Sequence, residues 1–184
     1  TVNESNSSRF SEGDLVWVVG SELSSGGVGG VTEFLIVNES KIHRLPEGWS
    51  AELAALGGTP LLTAALAWLS WNSLSEINSL VVSGAGGAVG HFSLLLAAET
   101  GVKHVAAVTN RNSEHFKELG LSVEKVIPTE KLAEQTDFSL LPERWDAAID
   151  ALGGNVLANL LKACRRGGQV AAIGNVLGSR TGLD

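Results

Sequence analysis

The segment 78–100 constrains the fold most tightly. An apolar run, Asn78–Ser83, leads into Gly84-Ala85-Gly86-Gly87-Ala88-Val89-Gly90, and a helix-forming stretch, Ala88–Thr100, follows without a break. Glycines at every third position (Gly84, Gly87, Gly90) let the backbone turn sharply and let a helix approach a strand closely. A buried strand that feeds a helix in this way needs a parallel neighbour, reached by a right-handed crossover. The rest of the chain from Pro60 onward has that texture. Helices are predicted over Leu61–Trp71 (with Thr59 and Pro60 at its cap and first turn), Ser113–Leu119, Glu130–Gln135, and Val156–Cys164 ended by Gly167-Gly168. Strands are predicted at Val105–Thr109, Val126-Ile127, Ala147–Ala151 and Gln169–Ile173. Strands alternating with helices imply an α/β domain around a parallel, Rossmann-type sheet, assigned to residues 61–184.

Residues 1–60 differ. They carry 8 acidic and 3 basic side chains and short β-branched runs. Strands are predicted over Leu15–Val19, Val31–Val37 and Lys41–Leu45, with Ser24–Gly30 as a loop and a short helix capped by Ser50 and running through Leu56. This segment is read as part of a β-rich domain. The chain has no Met and opens on Thr1-Val2 followed by a polar stretch, a pattern expected of a piece of a longer protein.

The glycine loop points to a ligand. A helix N-terminus behind a glycine turn presents backbone N–H groups to an anion, as in dinucleotide folds. A plain βα turn without ligand uses the same residues, so the next strand is informative. NAD-binding folds commonly end it with an acid that bonds the ribose 2′-hydroxyl. Here it ends Thr109-Asn110-Arg111, with no acid until Glu114. A carboxylate would repel a 2′-phosphate, whereas an arginine pairs with it and Thr109 and Asn110 add neutral donors. The reading is NADPH; the alternative is that Arg111 is a solvated loop charge. Gly84, Gly86, Gly87, Ala88, Val89, Thr109, Asn110 and Arg111 are therefore assigned to cofactor binding, as are Gly174 and Asn175 at the end of the last strand, where open α/β sheets hold ligands. Asp150, at the end of its strand, is assigned with them as the point where the chain passes the adenosine; the alternative is that it orients the next turn.

Taken in order, Arg9-Phe10, Glu12-Gly13-Asp14, Leu45-Pro46-Glu47-Gly48, Gly58-Thr59 with Leu62-Thr63-Ala64, the glycine loop, Thr109-Asn110-Arg111 and Ile149-Asp150-Ala151-Leu152-Gly153 resemble the medium-chain dehydrogenase/reductase superfamily on its zinc-free quinone oxidoreductase side. Arg111 to Glu114-His115, Leu119-Gly120 and Trp145–Asp150 are most similar to the acrylyl-CoA reductase branch. The resemblance covers essentially the whole chain. It implies that residues 1–60 belong to a β-rich, GroES-like catalytic domain and that 61–184 form most of the cofactor domain. It also implies that Thr63 contacts nicotinamide or substrate, and that the whole protein is a homodimer. The activity expected is hydride transfer from NADPH to an activated alkene (an enoyl thioester or enone) or to a quinone. A protein of the same fold that binds NADPH without catalysis is the alternative.

Composition bounds the remaining possibilities. With 13 basic against 20 acidic residues, the net charge of −7 lacks the footprint of a nucleic-acid binder. One Cys excludes an internal disulfide framework and a multi-cysteine zinc lobe. Apolar stretches such as Leu61–Leu69 fall short of a bilayer, so no membrane partner is expected, and the default location is the cytoplasm with a small-molecule substrate. The position that resembles a zinc-ligand site in related alcohol dehydrogenases is Thr59, which is no thiolate, so no metal is expected. Cys164, at the end of an apolar stripe, reads as core. His43, His91, His104 and His115 form no metal-ligand pairs, and only His91, next to Gly90, lies near the cofactor helix. Trp68 and Trp71 share a helical face and read as core. No catalytic residue is assigned.

Overall fold

The computed structural model describes residues 1–18 and 32–178, which divide into two compact units, Thr1–Thr59 and Pro60–Asp184. Val19, the predicted loop Ser24–Gly30 and Val31 lie outside the described residues.

In the first unit, β1 (Val16–Val18) pairs antiparallel with β2 (Ile42–Arg44), Val16 opposite Arg44 and Val18 opposite Ile42. The Arg44 guanidinium lies 2.8 Å from Asp14 and donates at 2.6 Å to the Arg9 carbonyl. The guanidinium carbons of Arg9 and Arg44 each lie 5.3 Å from the centroid of the buried Phe10 ring. The strand predicted over Val31–Val37 is not formed by its described residues, 32–37. Their alternation offers an apolar face, but no described strand pairs with them, and Phe34 and Ile36 stand exposed. Ser50 caps as expected, its hydroxyl accepting the Leu53 N–H at 3.1 Å.

The two helices predicted from Ser50 and from Leu61 follow each other directly, separated by a kink. Ala51–Leu69 is one element, α1, interrupted at Gly58 (φ 42, ψ −144) just before Pro60. By length and mean hydropathy (1.3) alone it is apolar enough to cross a membrane, contrary to the expectation from Leu61–Leu69. The interruption leaves two parts, each short of the ~20 continuous helical residues a bilayer requires. In the second part Ala64, Ala67 and Trp68 are buried.

The second unit is built on five parallel strands in the order β5-β4-β3-β6-β7: β3 (Ser79–Ser83), β4 (His104–Val108), β5 (Lys125–Ile127), β6 (Trp145–Asp150) and β7 (Cys164–Ala172). Every residue of β3 is buried, as a central parallel strand covered on both faces requires. Side chains alternate between two cores. Leu80, Val82, Val105, Ala107, Ala147 and Ile149 pack with Ala67, Trp68 and Trp71, with Leu94 and Ala97 of α2 (Ala88–Glu99) and with Phe116 of α3 (Ser113–Glu118). Val81, Ala106, Val108 and Ala148 pack with Val156, Leu160 and Ala163 of α5 (Gly154–Ala163), against which Leu132 and Ala133 of α4 (Thr129–Ala133) also lie. This is a doubly wound sheet, with its topological switch between β3 and β6.

One helix end is displaced from its expected place. Cys164 already belongs to β7, opposite Trp145, and Gly167-Gly168 lie within that strand. They occupy a shift of register between the pairs Trp145–Cys164 and Ala147–Gln169. A Cβ on Gly168 would fall 2.9 Å from the Asp146 carbonyl, so the glycine serves a close strand contact instead of a helix stop. At this N-terminal end of the sheet, the Asp146 carboxylate accepts from the Ser79 N–H and hydroxyl (both 2.8 Å), from Asn78 N–H (3.1 Å) and from Arg165 (2.6 Å). Burial pushes its pKa up, but the hydrogen bonds from Ser79, Arg165 and Asn78 outweigh that and hold it below the ordinary carboxylate value.

Candidate functional site

A cleft of about 690 Å³ opens at the opposite, C-terminal end of the strands. Each strand contributes to it: Gly84 after β3, Thr109–Arg111 after β4, Thr129 after β5, Ala151 and Leu152 after β6, and Ile173 and Gly174 after β7. That is where open parallel sheets bind ligands, at the carboxyl ends astride the topological switch.

The glycine loop forms the floor. Gly84 takes φ +63, its carbonyl accepts the Gly87 N–H at 2.9 Å, and the Ala85 N–H donates to the Val108 carbonyl at 3.3 Å. Gly87 is the N-cap of α2 and brings no side chain to cap it. The first N–H groups of a helix have no intrahelical acceptors, so those of α2 face the cleft with the positive end of the helix dipole behind them. Gly90 answers a different need. A Cβ there would lie 2.4 Å from the Gly84 carbonyl oxygen and 2.5 Å from the Ala85 Cα, so only glycine lets α2 sit this close to the loop. The backbone donors, the bare cap and the neighbouring Arg111 fit an elongated, phosphate-bearing ligand.

The wall after β4 is tied down by local hydrogen bonds. Thr109, nearly buried, donates its N–H to the Ile127 carbonyl (3.0 Å) and accepts the Arg111 N–H on Oγ1 (3.2 Å). Asn110 Oδ1 accepts the Thr129 N–H at 3.1 Å, which joins this loop to the start of α4 and leaves its amide NH2 for a ligand. Glu114 does not line the cleft; it pairs with Lys117 at 2.7 Å and, with Glu118, shares a smaller neighbouring cavity with Asn110 and Arg111.

Of the predicted site residues, Thr63, Gly84, Gly86, Gly87, Ala88, Val89, Thr109, Asn110, Arg111 and Gly174 all line the cleft. Two do not. Asp150 is fully buried; its carboxylate accepts from the Ser83 hydroxyl, from Gly153 N–H (2.8 Å) and from Leu152 N–H (3.3 Å), while Ser83 Oγ accepts the Ala151 N–H (3.0 Å). It fastens the turn after β6 to the end of β3 and does not itself line the cleft. Asn175 is exposed outside the lining, and its carbonyl receives the Gly178 N–H. Thr129, Ile173 and Val176 line the cleft and were not assigned from the sequence. Thr129 could have been found, because it follows β5 at the ligand-binding end of the sheet. His91 is absent from the lining, and among the described residues no three His, Cys, Asp or Glu side chains converge as a metal site would need. The Cys164 thiol is pushed up to about 11 by burial and by the nearby Asp146 charge, which makes it a poor nucleophile or ligand.

No protein-family model matches the chain. It is 37% identical over 178 residues to the putative quinone oxidoreductase YhfP of Bacillus subtilis, covering 95% of this chain and 53% of that one. It is 32% identical over 177 residues to the probable acrylyl-CoA reductase AcuI of Escherichia coli, covering 95% and 54% respectively. The crystal structure of the yhdH oxidoreductase from Salmonella enterica in complex with NADP superimposes with a TM-score of 0.89 at 31% identity, over 99% of this chain and 56% of that one. Over nearly its whole length the chain is homologous to oxidoreductases of the medium-chain dehydrogenase/reductase superfamily. Within it, the B. subtilis yhfP structure, which has NAD bound, superimposes with a TM-score of 0.87 over 99% of this chain and 56% of its own. The chain thus spans about half the length of these superfamily relatives. Its parallel Rossmann-type sheet is the fold that the sequence implied.

Proposed function

We propose that this chain is the cofactor-binding part of a zinc-independent reductase, one that uses NADPH to deliver hydride to an activated alkene (an enoyl thioester or enone) or to a quinone. The observation that carries the reading is the pairing of an uncapped helix N-terminus at Gly87 with Arg111, and no carboxylate, at the end of β4. The names of YhfP and AcuI, one a quinone oxidoreductase and the other an acrylyl-CoA reductase, support the substrate classes. When bound, the nicotinamide supplies the hydride. The chain's own residues do the holding: backbone N–H groups of Ala88 and Val89 receive the pyrophosphate, Arg111 and Asn110 the ribose phosphate, and Thr63 and Gly174 border the part of the cleft away from Arg111. The reading also takes the whole protein to be a cytoplasmic homodimer acting on small molecules. Titration calorimetry with NADPH, followed by NADPH-oxidation assays with enones, quinones and acrylyl-CoA, tests it; no NADPH binding would overturn it.

Two results are expected. Arg111→Ala weakens NADPH binding by roughly 1.5–3 kcal/mol, the scale of a charge-assisted hydrogen bond, and leaves NADH binding nearly unchanged. A wild-type protein that held NADH more tightly than NADPH would contradict the role given to this loop. Elemental analysis finds no stoichiometric zinc, and chelator leaves cofactor binding intact. One zinc per chain, lost together with binding, would return the chain to the zinc-dependent side of the superfamily.

A further inference from the structure

Gly86 stands apart from the other loop glycines. Its backbone does not take positive φ, and it is not where helix and strand backbones touch. What occupies the space of its missing side chain is the loop after β4. A Cβ on Gly86 would lie 2.8 Å from Arg111 Cγ and 2.9 Å from Thr109 Oγ1, with Arg111 Nε at 3.7 Å. The stem of Arg111 therefore runs across the bare face of residue 86, and Thr109 fixes its start through the bond from the Arg111 N–H. The two neighbours yield unequally. Thr109 is nearly buried, whereas Arg111 is exposed, so a side chain at residue 86 displaces the Arg111 stem and with it the guanidinium.

We propose that Gly86 is a specificity-determining residue: its missing side chain seats the Arg111 stem over the phosphate loop, held there by Thr109, and so sets the preference for a 2′-phosphorylated dinucleotide. The inference rests on the NADPH reading above. It assigns the discrimination to a residue that would otherwise be credited only with pyrophosphate approach.

The test measures NADPH and NADH dissociation constants by calorimetry, with thermal melts, for wild type, Gly86→Ala, Arg111→Ala and the double variant. Gly86→Ala is expected to raise the NADPH constant about tenfold and the NADH constant less than about twofold. In the Arg111→Ala background, adding Gly86→Ala should leave the NADPH-to-NADH ratio where Arg111→Ala put it. Should Gly86→Ala fail to fold, Thr109→Ala removes the acceptor of the Arg111 N–H with Gly86 intact, and a loss selective for NADPH is again expected. Equal losses for both cofactors, in whichever variant folds, overturn the proposal. If wild type prefers NADPH and Arg111→Ala abolishes that preference but Gly86→Ala does not, the inference alone fails. If wild type shows no preference, the NADPH reading fails and takes the inference with it.

Discussion

Gly87→Val abolishes cofactor binding and leaves the melting temperature almost unchanged. The residue sits at φ −94, ψ 172, extended backbone open to any side chain. A Cβ there meets only the Gly84 carbonyl oxygen, at 3.3 Å, a contact relieved by a shift of a few tenths of an ångström. The rest of a valine side chain must project into the cleft that Gly87 lines, in front of the first N–H groups of α2. A branched side chain where the pyrophosphate belongs should cost a hundredfold or more in affinity, about 2.8 kcal/mol at 1.4 per decade. Gly90→Ala is the internal control. Its methyl would collide with backbone at 2.4 and 2.5 Å, so it should lower stability by roughly 2–3 kcal/mol, as overpacking does. Calorimetry beside thermal melts separates the two. Unchanged NADPH affinity in the Gly87 variant would mean that the pyrophosphate does not lie on this loop.

Asp150→Ala should give the largest loss of stability outside the glycine loop. The carboxylate is fully buried and serves three donors, the Ser83 hydroxyl and the N–H groups of Leu152 and Gly153. Alanine leaves the buried Ser83 hydroxyl and Gly153 N–H without this acceptor, and the part-buried Leu152 N–H with them, and an unsatisfied buried donor costs about 1–3 kcal/mol. Because the bonds share one turn and part of it will relax, the expected total is about 3 kcal/mol, or on the order of 10 °C for a domain of this size. Asp150→Asn should lose about half as much. One amide oxygen can still accept from Gly153, while the NH2 donates to Ser83 Oγ, which already accepts from Ala151. NADPH affinity should fall in both, since the turn that Asp150 holds carries Ala151 and Leu152 of the cleft wall. A melt of Asp150→Ala that overlays wild type would show that the turn holds itself.

How much was legible in advance follows the range of the forces involved. The parallel strands could be read because both faces of β3, β4 and β6 are buried, which leaves continuous runs such as Leu80–Val82 and Ala147–Ile149. The glycine loop and the missing acid after β4 could be read for a similar reason, since backbone approach and charge are properties of adjacent residues. Of the strand predicted over Val31–Val37, the described residues 32–37 are not in a strand, and alternation supplies a face but does not name a partner. Gly167-Gly168 looked like a helix stop because nothing local distinguishes that from a bulge opposite Trp145 and Ala147.

The sequence by itself determined the alternation of strand and helix, the glycine loop between β3 and α2 and the sign of the charge beside it. The sequence left open whether Asp150 orients its turn or lies by the ligand, and the tertiary structure turns its carboxylate inward to three donors. Only the tertiary structure brought Ile173 and Val176 to the cleft and laid the Arg111 stem across Gly86. The Ser83–Asp150 bond and the Arg111–Gly86 contact join residues 67 and 25 positions apart, across strand ends that come together only once the sheet has closed its order, and no local pattern records which side chain a distant backbone will meet.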